Sequence, residues 1–583
     1  MRIFKLTVAF VLACVMTLGG VSSFAEVVTP LSVASSTDQN TNDVVTVKSD
    51  STMVFPSEQN PFVEDYYVGA TDQSSPFFET ILPAIKANIK ENDKHSISPY
   101  YDAFPVANNP QNFQGLGSTT YANINGKTVT AEAFYRLTDE GLNDPNCGMG
   151  LLIFQCIQYK LKHPDEDVKI TYSSYRTSAT AAVCVIPESK YYGYMRSLYG
   201  TNFDEHGFVR VSYMLVEAAR MGIEVTMINQ LETYAVYQYN PALGKLKWRN
   251  HIDYKKYFAA ANETDCYNKY AQGKKVSDFL SCVTVGWTVN DQTAFMQHIK
   301  SAAVSHYLAT DGTEHTAGVY FASTNFDENS YIGANGNNGS QSGVIVSDHD
   351  ELFRVTYNYM KLMKAYSRKE QMQELRFIAQ QRNEEQIALI KAGRGDEIPR
   401  DEQIVYIGTE NDNVFELYFT PLGGGTDTWA PDYNPFCNYM NKFAQSEDYV
   451  EFIWNEFGYG RSYVGYILEK QLARAFCNNP NPKNILAVRI PGLDTKAIEQ
   501  LELGTQIGYR SVKNGHLIHS KDIIMSYVEE GERHYVSLMT SCNFYMIAFN
   551  YRTNSILVIN ENELTGDGFY KALGRKFSYG AIQ

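Results

Sequence analysis

One pattern occurs twice in this chain, and it constrains the fold more than any other feature. His298-Ile299-Lys300 has Ser305 seven positions after its histidine, and His519-Ser520-Lys521 has Ser526 at the same offset. Downstream come Ser323-Thr324-Asn325 and Ser541-Cys542-Asn543, with Asn325 27 positions past His298 and Asn543 24 past His519. A single H-x-K triplet arises readily by accident. Two copies with matching followers point to two copies of one folding unit within one polypeptide.

The surrounding pattern agrees with a duplicated α/β unit. Strand-like runs at 168–172 and 414–420 open the two halves, and each is followed by helical material. In the first half, 211–221 has helical spacing, Gly222 provides a stop, and 223–228 is a β-branched strand. In the second, 463–476 is the comparable helix and 485–490 the strand; strands at 343–346 and 556–559 follow the two S-x-N elements. Repeated strand-helix-strand units favour a sheet covered by helices. Between the halves, 350–393 carries Leu352, Val355, Tyr359 and Met363 at helical spacing and ends at Gly393, so it reads as a helical connector or as a surface-packed helix of one domain.

The N-terminus reads as an export signal. Arg2 and Lys5 precede an uncharged stretch over 6–21, and Ser23-Phe24-Ala25 has the small-x-small form of a cleavage site, so cleavage is predicted after Ala25. The apolar run is shorter than the roughly 20 residues that span a bilayer. Residues 26–60 are rich in Ser, Thr, Asp and Asn without periodicity, as in a flexible linker. The mature protein is therefore expected to be secreted or cell-envelope associated, with no later transmembrane segment. Eight cysteines remain beyond Cys14, wide apart and without a C-x-x-C pair, which permits disulfides or buried thiols and argues against a zinc site.

The chemistry expected of the motif follows from its residue types. If the triplet lay on a strand, positions i and i+2 would share a face, setting each imidazole beside an ammonium. A neutral imidazole can attack phosphorus, a second can protonate the leaving oxygen, and lysines with asparagine amides can neutralise the equatorial oxygens. Such a site needs neither a metal nor another cofactor. With 50 Lys+Arg against 65 Asp+Glu, the formal charge of −15 lacks the basic footprint of a duplex-binding protein.

On these residues the chain resembles the phospholipase D superfamily, whose hallmark is a twofold H-x-K-x4-D motif followed by G-S-x-N. The resemblance runs from about residue 150 onward. It implies an α/β protein of two phospholipase D-like lobes, each a mixed sheet flanked by helices, with the site at the lobe interface. Together with the export signal, linker and helical stretch read above, the expected organisation is a signal peptide (1–25), a linker (26–60), an N-terminal lobe (61–350), a helical connector (351–400) and a C-terminal lobe (401–583). By that resemblance His298 is the nucleophile and His519 the general acid, roles open to exchange. Lys300 and Lys521 complete the catalytic set, and Asn325, Asn543, Ser323 and Ser541 bind the substrate phosphate. The implied activity is a phosphodiester hydrolase or phosphatidyltransferase acting through a phosphohistidine, with a phospholipid as the preferred substrate and nucleic acid less favoured. Two motifs in one chain remove any need to dimerise for chemistry. The alternatives are a catalytically inactive phosphate-ester-binding protein and a secreted nuclease of the same superfamily.

Departures from the family pattern bear on activity. Ser305 and Ser526 stand where the family has aspartate, and Ala322 and Thr540 where it has glycine. Gln341 and Asn554 are best placed for the carboxylate that orients a histidine, and both are uncharged. A neutral acceptor stabilises an imidazolium less than a carboxylate does.

Overall fold

The computed structural model describes residues 117–136, 145–175, 208–230, 261–289, 292–309, 311–323, 339–368, 371–422, 432–446, 520–542, 549 and 552–573. It also describes the short segments 177–178, 182–184, 234–240, 245–250, 452–457, 485–488, 506–509 and 517–518. The expected signal peptide, linker and second-half helix at 463–476 lie outside the described residues, as do His519, Asn325 and Asn543.

In chain order the elements that build the site begin with β1 (Gly117–Ile124), β2 (Lys127–Arg136), α1 (Pro145–Lys162) and β3 (Lys169–Ser174). Next come α2 (Val211–Arg220), β4 (Glu224–Gln230), β5 (Leu280–Val289), β6 (Gln292–Gln297), β7 (Ser301–Val304), β8 (Gly318–Ala322) and β9 (Gly339–Ser347). Two helices follow, α3 (Asp350–Ala365) and α4 (Met372–Lys391). The second set is β10 (Tyr406–Ile407), β11 (Phe415–Phe419), α5 (Pro435–Ala444), β12 (Phe452–Phe457), β13 (Ile485–Val488) and β14 (Gln506–Tyr509). It continues with β15 (Leu517–Ile518), β16 (Asp522–Glu529), β17 (Glu532–Thr540), β18 (Arg552–Thr553) and β19 (Ser555–Asn562).

The duplication inferred from the motif is written in the strand order. One sheet runs β1-β2-β9-β8-β7-β3-β4-β5 before continuing to β6 and β18, and the other runs β10-β11-β19-β17-β16-β12-β13-β14. Strand directions match position for position. In the first sheet every pairing from β1 to β3 is antiparallel, and β3 with β4 and β4 with β5 are parallel. In the second, pairings from β10 to β12 are antiparallel, and β12 with β13 and β13 with β14 are parallel. The protein is thus an α/β structure of two like mixed sheets with flanking helices. One correspondence differs from the sequence reading: the strand at 414–420 is the counterpart of β2, and the strand that matches β3 is β12. Both runs are apolar enough to be strands, and only their pairing partners tell them apart.

Burial follows the expected rule for parallel strands. β3 and β4 are buried along nearly their whole length, because helices cover such strands on both faces. The α3–α4 segment is more than a connector. α3 buries Leu352, Val355, Tyr359 and Met363, the apolar stripe read from the sequence, in a continuous core that includes Val344 of β9 and Leu417 of β11. Its N-terminus is capped by His349, whose Nδ1 accepts from the Leu352 amide while Nε2 donates to buried Asp412 at 2.8 Å.

The Tyr359 ring stacks on Phe419 at 4.4 Å, and its hydroxyl donates to the Thr420 carbonyl at 2.6 Å. From α4, the Asn383 amide donates to the carbonyls of Phe419 and Pro421. Both helices therefore hold the end of β11. Tyr359→Phe keeps the stack and removes one buried donor, so unfolding stability should fall by about 1–2 kcal/mol, read as a lower denaturant midpoint at unchanged slope.

Candidate active site

Both lysines of the motif lie one residue before a strand: Lys300 precedes β7, and Lys521 precedes β16. The triplet at 298–300 is therefore not within a strand, as the sequence pattern suggested, but forms the link between β6 and β7. Gln297 braces that link. Its backbone N–H donates to Gln230 Oε1 at 2.6 Å, and its side-chain amide donates to the Ile299 carbonyl at 3.0 Å and to Ser173 Oγ. Gly286 permits this bracing: its φ is +113° and a Cβ there would collide with the Gln230 amide.

The two repeats exchange strand ends at the site. β6, which leads to His298, pairs in parallel with β18, setting Gln297 opposite Thr553. Correspondingly, β15 pairs in parallel with the start of β9, setting Ile518 opposite Ser340. The first exchange delivers His298 directly to Asn554. The His298 N–H donates to the Thr553 carbonyl at 2.9 Å, and Nδ1 lies 2.9 Å from Asn554 Oδ1.

The lysine and serine positions repeat with matching bonds. The Ala322 N–H donates to the Lys300 carbonyl and the Thr540 N–H to the Lys521 carbonyl. Ser323 exchanges backbone and hydroxyl bonds with Ser342: its N–H donates to the Ser342 carbonyl, and its Oγ accepts from the Ser342 N–H. Ser541 does the same with Ser555. These two serines, expected among the phosphate ligands, are tied to the strands that follow. Ser305 and Ser526 are buried; the Ser305 hydroxyl accepts from the Lys169 N–H at 2.9 Å and joins β7 to β3. Gln341 lies on β9, one residue before Ser342, as Asn554 lies before Ser555.

His298 is 5% exposed, and Lys300, Lys521 and Asn554 are fully buried. Lys300 Nζ donates to the His298 carbonyl at 2.9 Å. Burial, reinforced by the charges of Lys300, Arg552 and Lys521, holds the His298 imidazole well below its usual range, against a smaller opposite pull from Asn554. His298 is accordingly neutral near pH 7. Tyr175, just past the end of β3, closes one side: its ring lies 5.0 Å from the imidazole and 5.4 Å from Lys300 Nζ. Tyr175 and Arg552 carry no local motif and were not foreseen from the sequence. Among the described residues no group of His, Cys, Asp and Glu is arranged to hold a metal ion.

The depressed imidazole carries a stability consequence. Below the unfolded-state value near 6.5 the unfolded chain takes up a proton that native His298 refuses, so stability is complete at neutral pH and declines as the pH falls toward the folded value. The His298 contribution to that slope is at most about 1.4 kcal/mol per pH unit. Chemical denaturation of His298→Gln between pH 7 and 5 should show a shallower decline than the parent.

Among the described residues, Cys156 and Cys266 are buried thiols, and burial pushes Cys266 up to about 11.

No protein-family profile and no curated protein sequence matches this chain. Solved structures similar to it include three at low sequence identity. One is phosphatidylserine synthase of Haemophilus influenzae, at 12% identity and TM-score 0.37, covering 81% of this chain and 88% of that one. A second is polyphosphate kinase of Porphyromonas gingivalis, at 11% identity and TM-score 0.37, covering 79% of this chain. The chain spans about half, 51%, of the length of that kinase. The third is a point variant of yeast tyrosyl-DNA phosphodiesterase, at 9% identity and TM-score 0.30, covering 73% and 89%. No helix among the described residues is long and apolar enough to cross a membrane.

Proposed function

We propose that the chain is an exported phosphodiesterase or phosphatidyltransferase that works through a phosphohistidine on His298. One observation carries the reading: a neutral, buried imidazole is held through Nδ1 by Asn554 of the other repeat, in the field of Lys300, Lys521 and Arg552. An Nδ1–H bonded to Asn554 leaves the Nε2 lone pair for attack, and the cations favour the negative charge that gathers on phosphate oxygens.

In the first step Nε2 forms a bond to phosphorus as the bond to the leaving oxygen breaks, and His519 gives that oxygen its proton. In the second, His519 takes a proton from water or an acceptor alcohol as the new oxygen bonds phosphorus and the bond to His298 breaks. The pairing of Gly339–Ser340 with Leu517–Ile518 supports His519 as the counterpart of His298, because it repeats the exchange that brings His298 to Asn554. Asn325 and Asn543 would complete the phosphate cradle.

A phospholipid is the preferred substrate class. The acidic balance of the chain disfavours a nuclease. The uncharged Asn554 favours a second reading, a phosphate-ester-binding protein without turnover, because an amide supports imidazolium less than a carboxylate would.

Incubating the purified protein with labelled phospholipids and short oligonucleotides, with and without a chelator, separates the readings. Lipid product that persists in chelator is expected. Oligonucleotide cleavage alone would reassign the substrate, and saturable binding without product would favour the binding protein.

A further inference from the structure

Thr420 follows the last residue of β11, far in sequence from either motif, yet its hydroxyl is the hub of the bonds behind His298. Thr420 Oγ1 donates to the Arg552 carbonyl at 2.6 Å. The same oxygen accepts from the Asn554 backbone N–H at 2.8 Å and from the Asn554 side-chain Nδ2 at 3.1 Å. A hydroxyl has one proton to give and two lone pairs to receive, and the two Asn554 N–H groups fill the lone pairs.

The count has a consequence for the amide. With its proton committed to Arg552, Thr420 can face only the NH2 end of Asn554, which turns Oδ1 toward His298 Nδ1. Ser541 Oγ adds a donor to that same Oδ1 at 3.4 Å. Reversing the amide would set Oδ1 against the Thr420 lone pairs, cost the Arg552 bond if the hydroxyl turned to donate to it, and present His298 with a donor.

We propose that Thr420 is a positioning residue that selects the tautomer of His298, holding the Asn554 amide so that Nδ1 carries the proton and Nε2 is left as the base and nucleophile. The hub is itself anchored from outside the motifs, since Tyr359 of α3 and Asn383 of α4 grip the carbonyls on and beside Thr420. Where a carboxylate would compel the Nδ1–H tautomer by charge, the neutral amide needs its orientation enforced, and a hydroxyl with no spare proton enforces it.

The catalytic consequence rests on the reading of His298 as nucleophile, but the tautomer can be measured without turnover. In nitrogen-15 NMR of histidine-labelled full-length protein, with His298 assigned by comparison with His298→Gln, the parent should show a protonated Nδ1 and an unprotonated Nε2. Thr420→Ser keeps the hydroxyl and should keep that signature. Thr420→Val keeps the shape, loses the hub, and should show mixed tautomers with kcat reduced about 10- to 100-fold and KM little changed. A parent spectrum with Nε2 protonated overturns the proposal, whether or not the variants fold. So does an unchanged tautomer in folded Thr420→Val. An Nδ1–H signature in a protein that turns over no phosphodiester would leave the clamp standing and defeat the functional reading instead.

Discussion

Replacing His298 with alanine should lower phosphodiester turnover by about 10^4-fold or more, the scale on which enzymes lose activity when a covalent nucleophile is removed. Binding should survive better than turnover. His298 reaches the site on the link after β6 and is steadied there by backbone and side-chain bonds to Thr553 and Asn554, whereas the positive charges around it belong to Lys300, Lys521 and Arg552. The expected pattern is thus a collapse of kcat with affinity for a non-hydrolysable phosphodiester changed less than tenfold. Steady-state kinetics together with calorimetric titration measure the two quantities on the same preparations. Turnover at the parental rate in a correctly folded His298→Ala protein would remove the imidazole from the mechanism.

The second large effect belongs to the lysines. Lys300→Met and Lys521→Met each keep an unbranched side chain of similar length while deleting a buried charge, and each should cost about 10^2- to 10^3-fold in kcat/KM, the usual scale for losing one preorganised electrostatic group. A second change should accompany the first. Both lysines push the His298 imidazole downward, Lys300 the more strongly. Removing either lets the imidazole rise toward its ordinary range. Because attack requires the neutral ring, the acid limb of the kcat/KM profile should move to higher pH in both variants and further for Lys300→Met. A rate loss without movement of that limb would mean that the lysines act on substrate alone.

How much of this could be read from residues in a row follows from the range of each interaction. The duplicated motif singled out His298, Lys300 and Lys521 as candidates and implied two like α/β units, because repetition of a pattern is visible without knowing any contact. Position 554 could be suggested from its offset behind the S-x-N element, and the structure places its amide on the imidazole. Thr420 offered no such signal. It touches Asn554 across 134 positions, and Asn554 touches His298 across 256, so neither bond leaves a local pattern. The exchange of β6 and β18 was hidden for the same reason, as β18 is only two residues long.

The strand assignment of the H-x-K triplet failed on a finer point. Alternation by two applies only while a ladder continues, and at 298–300 the chain leaves β6 to cross to β7, so the proximity of histidine and lysine comes from the turn between strands. The stretch over 350–393 illustrates the converse. Its helical period was plain, but its role depended on what the apolar stripe meets, and Tyr359 meets the base of the site.

The most direct test is chemical. The protein should be mixed with a phosphodiester labelled in its phosphoryl group and quenched in alkaline denaturant, which preserves phosphohistidine. Peptide mapping then locates any label. A labelled phosphoryl adduct on the peptide containing His298, absent from His298→Ala and lost on brief acid treatment, is the predicted result. Product formation with no covalent label at any time point, or a label placed elsewhere in the chain, would contradict it.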